Sequence, residues 1–548
     1  MDNQDLPVLK VEQLSVTAVR GGIEVLKNLS FSIEKGETVA LLGESGAGKS
    51  TLFKTILQVL RIRGWKQSGK VISQGMEIQG LTPFELEKVR GPKIRCIFQE
   101  PALSLNPSLK ISRQLKEAIE TIEPELTGKE VLERMKEALV NSGLDPDMIL
   151  DKYPGDISGG QRQRVGVAMS ICTPTPLLLA DEPSNSLDSV TVTELVDTLL
   201  RLRNSGYISS LFIVTHDIGI LKALDCQRVL YMDQGELFEV GNIQQVLEKP
   251  AHPKLAEMIS LRNVIESMES QSDEVQDKQV PLYEVANIQF GYRSRSFFSR
   301  AKIPILKDVG FEIGKNEFVA LVGNSGSGKS TIGKLLTQEL KDYQGEILFD
   351  GNPMAHYRKG KGKKRFHRDV QIIFQEPADT FDPSLTMRQN LEEGFFAMGL
   401  NRDEVEKAFD RLLDKLLLDR RMLDEQPHNL SGGQKQRFAL MRAFGSRPSM
   451  ILADEPFNNL DLIAQQRLIE LLLERKQDKE RPMSCVLISH DIGVVSKLCE
   501  RAFVIDDGRI IESGPVDDIV KHSTHPATQR LIQAAAMLGS IQVDAKGV

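Results

Sequence analysis

The chain is written twice. FSIEKGETVALLGESGAGKST, from Phe31 to Thr51, returns as FEIGKNEFVALVGNSGSGKST, from Phe311 to Thr331. IFQEPALSLNPSL from Ile97 returns as IFQEPADTFDPSL from Ile373, and ISGGQRQR from Ile157 as LSGGQKQR from Leu430. LLADEPSNSLD from Leu178 returns as ILADEPFNNLD from Ile451, and IVTHDIG from Ile213 as LISHDIG from Leu487. The order is the same in both halves, and the spacing barely changes: Lys49 and Lys329 are 280 residues apart, Asp181 and Asp454 273. A period that long is a duplicated domain, not a solenoid repeat. A chain of 548 residues exceeds one hydrophobic core in any case. The reading places a first domain at 1–260, a polar, acidic linker at 261–280 that is helical at its start, and a second domain at 281–548.

Gly43–Ser50 and Gly323–Ser330 match GxxxxGK[ST]. Each follows a short apolar run (Thr38–Leu42, Phe318–Val322) and opens a helical pattern. That strand–loop–helix setting makes the motif a phosphate cradle rather than a mere turn. Glycines at 43, 46, 48, 323, 326 and 328 let backbone N–H groups turn inward around phosphate oxygens, and the helix start adds partial positive charge. Ser45, Thr51, Ser325 and Thr331 fall within the same cradles. Lys49 and Lys329 are expected on the β and γ phosphates, and Ser50 and Ser330 on Mg²⁺.

Two buried strands are expected to end in Asp181-Glu182 and Asp454-Glu455. Acids at the C-terminal end of such strands face the ligand crevice of an open α/β sheet. The aspartates suit hydrated Mg²⁺; the glutamates suit a general base for the attacking water. His216 and His490 follow apolar runs and can sense a γ-phosphate; Gln99 and Gln375 can ligate the metal or its water. In isolation each would read as an ordinary loop acid, histidine or glutamine. Their recurrence behind a phosphate cradle in both halves favours the catalytic reading.

The signature stretches Ser158-Gly159-Gly160-Gln161 and Ser431-Gly432-Gly433-Gln434, with the motifs above, resemble the ATP-binding-cassette superfamily over nearly the whole chain. The resemblance implies an α/β fold of two P-loop NTPase cassettes. Each would have a RecA-like core, an antiparallel β subdomain and a helical signature subdomain. It implies ATP and Mg²⁺ as cofactors and an intramolecular head-to-tail pseudo-dimer. One site would use Lys49, Ser50, Gln99, Asp181, Glu182 and His216, closed by Ser431 and Gly433. The other would use Lys329, Ser330, Gln375, Asp454, Glu455 and His490, closed by Ser158 and Gly160. Asp188 and Asp461 match the acid that passes between such sites. Tyr292 matches the aromatic that stacks on adenine; the first half offers LSVTAVRGG there, with no aromatic. Leu132, Met135, Ala138 and Leu139, and Val405, Ala408, Phe409 and Leu412, have the helical spacing of a signature subdomain.

Within that superfamily, FQEPALSLNPSL, FQEPADTFDPSL and the His-Pro segments AHPKLAEMI and THPATQRLI resemble oligopeptide, dipeptide and nickel importer ATPases, although Lys254 and Ala527 stand where a tyrosine is usual. This implies an ATPase subunit on the cytoplasmic face of the inner membrane. Its partners would be two transmembrane permease subunits, served by an extracytoplasmic solute-binding protein. The cargo would be peptides, peptide-like solutes or metal chelates. The competing class, a soluble tandem cassette acting on ribosomes or DNA, fits less well. The linker is short and acidic, the five cysteines form no CxxC pair, and the mild net charge of −7 is not the basic balance usual in a nucleic-acid binder. No apolar run approaches the ~18–20 residues needed to cross a bilayer, and MDNQDLPVLK lacks the apolar core of a secretory signal. The scattered cysteines read as reduced core thiols of an intracellular protein. Basic Arg358–Arg365 reads as a solvated loop, with contact to membrane headgroups as the alternative, and Tyr292–Lys302 as an extended hairpin loop.

Overall fold

Burial alternates along the first strand: Leu9, Val11, Leu14 and Val16 are buried and the strand residues between them are not. That is the mark of an antiparallel sheet with one wet face. In the computed structural model the first half runs β1 (Leu9–Ala18), β2 (Ile23–Ile33), β3 (Thr38–Leu42), β4 (Trp65–Ser73), β5 (Met76–Glu77), β6 (Ile94–Ile97), β7 (Thr175–Asp181), β8 (Ile208–Val214), β9 (Arg228–Asp233) and β10 (Glu236–Asn242). The antiparallel sheet has the order β2-β1-β4-β5. All five residues of β3 are buried, as in a strand covered on both faces. It lies inside a second sheet of order β10-β9-β3-β8-β7-β6, parallel except for the β9–β10 hairpin.

The structure describes residues 6–541 except 45, 62–63, 100, 185–186, 216, 268–280, 294–301, 375–379, 458–459, 461 and 479. Its two compact units are Met1–Leu187 with Thr191–Ile259, and Asp188–Val190 with Ser260–Val548. The second repeats the first strand for strand: β11 (Pro281–Arg293), β12 (Lys302–Gly314), β13 (Phe318–Val322), β14 (Gln344–Phe349), β15 (Asn352–Pro353), β16 (Val370–Ile373), β17 (Met450–Asp454), β18 (Ser484–Ser489), β19 (Arg501–Asp506) and β20 (Arg509–Pro515). Its sheets have the orders β12-β11-β14-β15 and β16-β17-β18-β13-β19-β20.

A helical part with its own core is inserted between β6 and β7. Ile111, Leu115, Ile119, Val131, Met135, Ala138, Leu139 and Val165 form it, and a Thr127–Glu130 capping box starts the helix Gly128–Asn141. Val131, not Leu132, takes the inward place; Leu132 is 44% exposed. The spacing 131, 135, 138, 139 keeps one face of the helix, and 132 lies a hundred degrees off it. In the second half Val405, Ala408, Phe409 and Leu412 are all buried, as the periodicity requires. The helix Gly159–Ser170 is tied to the segment after β6 by Gly166, where a Cβ would come 2.6 Å from the Pro101 carbonyl oxygen.

The helix Pro253–Ser267 runs into the linker, whose start is expected to be helical. One expectation changes. The basic stretch is no loop: Met354–Arg358 is a 3₁₀ turn and Gly360–Asp369 an α-helix. Tyr357 and Phe366 are buried and pack edge-on against Phe349, anchoring a segment whose other side chains are nearly all polar. The 294–301 part of the expected hairpin loop lies outside the described residues.

Candidate active sites

In the first half the loop after β3 turns through Gly46 and Gly48, both at positive φ (86° and 105°), into the helix Lys49–Ile56, which includes Ser50 and Thr51. Only glycine holds such angles without strain. Gly48 also has no room for a side chain: a Cβ would meet Leu26 Cδ2 at 2.9 Å and the Val25 carbonyl oxygen at 3.1 Å. Lys49 is 6% exposed, and its Nζ donates to the carbonyls of Gly43 (2.8 Å) and Glu44 (2.9 Å). The ammonium is thus folded over the loop, and burial lowers its pKa.

Asp181 ends β7 beside this loop, where Ser50 Oγ donates to its Oδ1 at 3.3 Å. Burial raises the pKa of Asp181, with the Ser50 hydrogen bond opposing the shift. An acid destabilised in this way is ready for a cation. Glu182 N continues the ladder to the Val214 carbonyl (3.0 Å) with φ at 44°, a left-handed backbone that a glutamate rarely adopts. Its carboxylate lies 3.7 Å from Lys49 Nζ and accepts from Gln99 Nε2 at 3.3 Å. Lys49, Ser50, Gln99, Asp181 and Glu182 therefore converge. Ser45 and His216 lie outside the described residues.

The second half repeats this geometry. Gly326 and Gly328 have φ of 81° and 111°, and the helix Lys329–Leu336 includes Ser330 and Thr331. Lys329 Nζ donates to the carbonyls of Gly323 (2.7 Å) and Asn324 (2.8 Å), and burial lowers its pKa. Ser330 Oγ donates to Asp454 Oδ1 at 3.2 Å, and burial raises that acid. Ser327 Oγ is buried without a hydrogen-bond partner, an orphan donor in the phosphate loop. Glu455 has φ of 46°, and His490 Nδ1 lies 3.5 Å from its Oε1. Gln375 and Asp461 lie outside the described residues. Tyr292 is 42% exposed, edge-on to Phe290 with ring centroids 5.0 Å apart.

Each signature serine caps the helix it precedes. Ser158 Oγ accepts from Gln161 N (3.2 Å) and Ser431 Oγ from Gln434 N (3.3 Å), with each glutamine side chain returning the bond. Gly160 and Gly432 have open space where a Cβ would stand, and neither has positive φ. Neither packing nor backbone within its own unit calls for glycine there. Glycine in a helix costs roughly 0.5–1 kcal/mol relative to alanine.

One residue was missed from the sequence. Lys254, noted only as a departure in the His-Pro segment, reaches Asp233 Oδ2 (2.9 Å) and Glu44 Oε2 (3.5 Å), joining the helix Pro253–Ser267 to the phosphate loop. A basic residue one place after His-Pro was the available signal. Its acidic partner in the loop, 210 residues away, was not legible.

Among the described residues no cluster of His, Cys, Asp and Glu forms a separate metal site, and no helix is long and apolar enough to cross a membrane. All five cysteines are unpaired, and burial pushes the thiols of Cys226 and Cys485 up to about 12.

A family model described as ABC transporter matches residues 26–185 and again 306–458. A glutathione import ATP-binding protein of Pectobacterium atrosepticum is 32% identical over 96% of this chain and 89% of its own length. A peptidoglycan transport ATP-binding protein of Agrobacterium fabrum is 33% identical over 98% of both chains. The dimeric structure of a bacterial ABC transporter cassette is similar at 29% identity over 43% of this chain and 98% of its own, with a TM-score of 0.39.

Proposed function

Because the chain belongs to the ABC transporter family, with two ATP-hydrolysing cassettes on one polypeptide, we propose that it is the energy-coupling subunit of an importer for peptides, peptide-like solutes or their metal chelates. The observation that carries the ATPase part is the duplicated pair Ser50–Asp181 and Ser330–Asp454, each beside a buried lysine folded over a phosphate loop. Hydroxyl and carboxylate at hydrogen-bond distance are the protein ligands that Mg²⁺ accepts alongside phosphate oxygens and water. Ser50 with Asp181, and Ser330 with Asp454, would hold the ion, which would supply positive charge against the phosphate oxygens. Lys49 and Lys329 swing from loop carbonyls to the phosphates. Glu182 and Glu455, held at the strand ends, take the proton of the attacking water.

The domains proposed are 1–260 and 281–548. The open glycines of each signature support a further step. With nucleotide bound, the first turn headed by Ser158 closes on the triphosphate held by the second cassette, and that headed by Ser431 on the first. N–H groups at a helix start suit a γ-phosphate, and closure is lost when that phosphate leaves.

The peptide cargo rests on the relatives, whose names give glutathione import and peptidoglycan transport. Permease docking beside Gln99 and Gln375, at the cytoplasmic face of the membrane, is supported by Phe98 and Leu103, which are 45% and 78% exposed. Two large apolar side chains exposed within one short segment suit a protein contact. Affinity isolation of the tagged chain from detergent-solubilised membranes tests the reading. Two multi-helix permeases are expected with it; ribosomal proteins and no permease would overturn it.

A further inference from the structure

The two halves differ at the outer end of their antiparallel sheets. In the second, Tyr292 follows Phe290 on the face of β11 turned to the core and shares a rung with Ile303 of β12. Phe290 itself pairs with Leu306, whose Cδ2 would touch a Cβ on Gly328 at 2.7 Å. The first half keeps this frame: Val16 pairs with Leu26, Leu26 closes over Gly48, and two residues on, Ala18 pairs with Ile23. Ala18 thus holds the place of Tyr292.

The neighbouring strand makes up the difference. β14 begins at Gln344, on the rung of Gln289, and stops short of Tyr292. β4 begins three rungs earlier, so Trp65 pairs directly with Ala18, and Val19 N donates to the Gly64 carbonyl at 2.8 Å to hold that extension. Paired residues in an antiparallel ladder point to the same face. Ile23, Ala18 and Trp65 therefore form one apolar shelf. Ile23 is 64% and Trp65 38% exposed. Each strand residue advances ~3.3 Å, so the shelf lies about 7 Å along the sheet from the phosphate-loop contact at Leu26.

We propose that Trp65 stacks on the adenine of ATP in the first cassette and stands in for the aromatic that β1 lacks. The proposal rests on the reading of Gly43–Thr51 as the phosphate cradle. Its test is built into the composition, because the chain has a single tryptophan. In Lys329→Ala protein, where the second cradle is disabled, tryptophan emission should change saturably as Mg·ATP is added. Lys49→Ala should abolish that change. Against the same Lys329→Ala background, Trp65→Ala should weaken ATP binding measured by equilibrium dialysis about tenfold, and Trp65→Phe should restore most of it. If the Lys329→Ala protein binds ATP by dialysis but its emission is unmoved and Trp65→Ala binds equally well, the stacking role is overturned while the cradle stands. If it binds no ATP at all, cradle and shelf fall together.

Discussion

His490 Nδ1 lies 3.5 Å from Glu455 Oε1, at the end of the strand whose aspartate is bonded to Ser330. Burial opposes the charge of Glu455, yet the His490 hydrogen bond and charge, with Lys329 nearby, hold its carboxyl below the ordinary glutamate range. The imidazole therefore does two things. It favours the ionised carboxylate, as the proposed base requires, and it restrains the direction in which that carboxylate points. In the first half Glu182 meets Lys49 and Gln99, and His216 lies outside the described residues.

Removing His490 should move an acid limb. The depressed pKa of Glu455 contributes stability that is present above the unfolded-state value and is lost as pH falls through the folded one. In His490→Ala, burial acts unopposed by the imidazole, and the carboxyl rises. With Lys49→Ala silencing the first site, the acid limb of the ATPase pH profile should shift to higher pH. An unchanged limb would remove His490 from the site.

Glu182→Gln and Glu455→Gln test the base directly. Each substitution keeps shape and removes the proton acceptor. The double variant should bind ATP and lose ATPase activity by about 10²–10⁴-fold, the ordinary worth of a positioned general base. Each single variant should lose at least half of the steady-state rate. Near-normal turnover in the double variant would defeat the assignment.

Much of this was legible in the sequence because phosphate chemistry is local. A glycine that must take positive φ, a lysine one residue later and a serine beside it sit within one turn of chain, so Gly48, Lys49 and Ser50 could be placed from spacing alone. Contacts made by register or across long separations could not. That Trp65 shares a rung with Ala18 depends on where β4 begins, and that Lys254 reaches Glu44 depends on how a helix returns over the sheet. Val131 displaced Leu132 because several helical phases suit a short apolar run, and only packing chooses between them. The helix Gly360–Asp369 was hidden by its polarity, with Phe366 alone as its buried anchor.

Gly160→Ala should separate stability from function. The site has open space and ordinary backbone angles, so alanine should not lower the melting temperature and should stabilise the helix by up to about 1 kcal/mol. If the first turn closes on a triphosphate, the added methyl stands in the way, and ATPase activity should fall at least tenfold. A variant that is stable and fully active would leave the signature glycine without a role.

Lys254→Met should loosen the phosphate loop from behind. The side chain of Asp233 is 11% exposed, and the Lys254 ammonium lies 2.9 Å from it and 3.5 Å from Glu44. The hydrogen bond to Asp233 leads the rise in the Lys254 pKa. The stability it brings is therefore fully present below the unfolded-state lysine value and is lost as pH climbs through the folded one. The ammonium is partly open to solvent, so screening limits the loss to about 0.5–1 kcal/mol, and added salt should shrink it. Methionine keeps the apolar stem and removes the charge. The expected outcome is a small, salt-sensitive drop in melting temperature together with a rise in KM for ATP at the first site, read in Lys329→Ala protein. A drop in stability with KM unchanged would make the contact a strut for the helix Pro253–Ser267 alone.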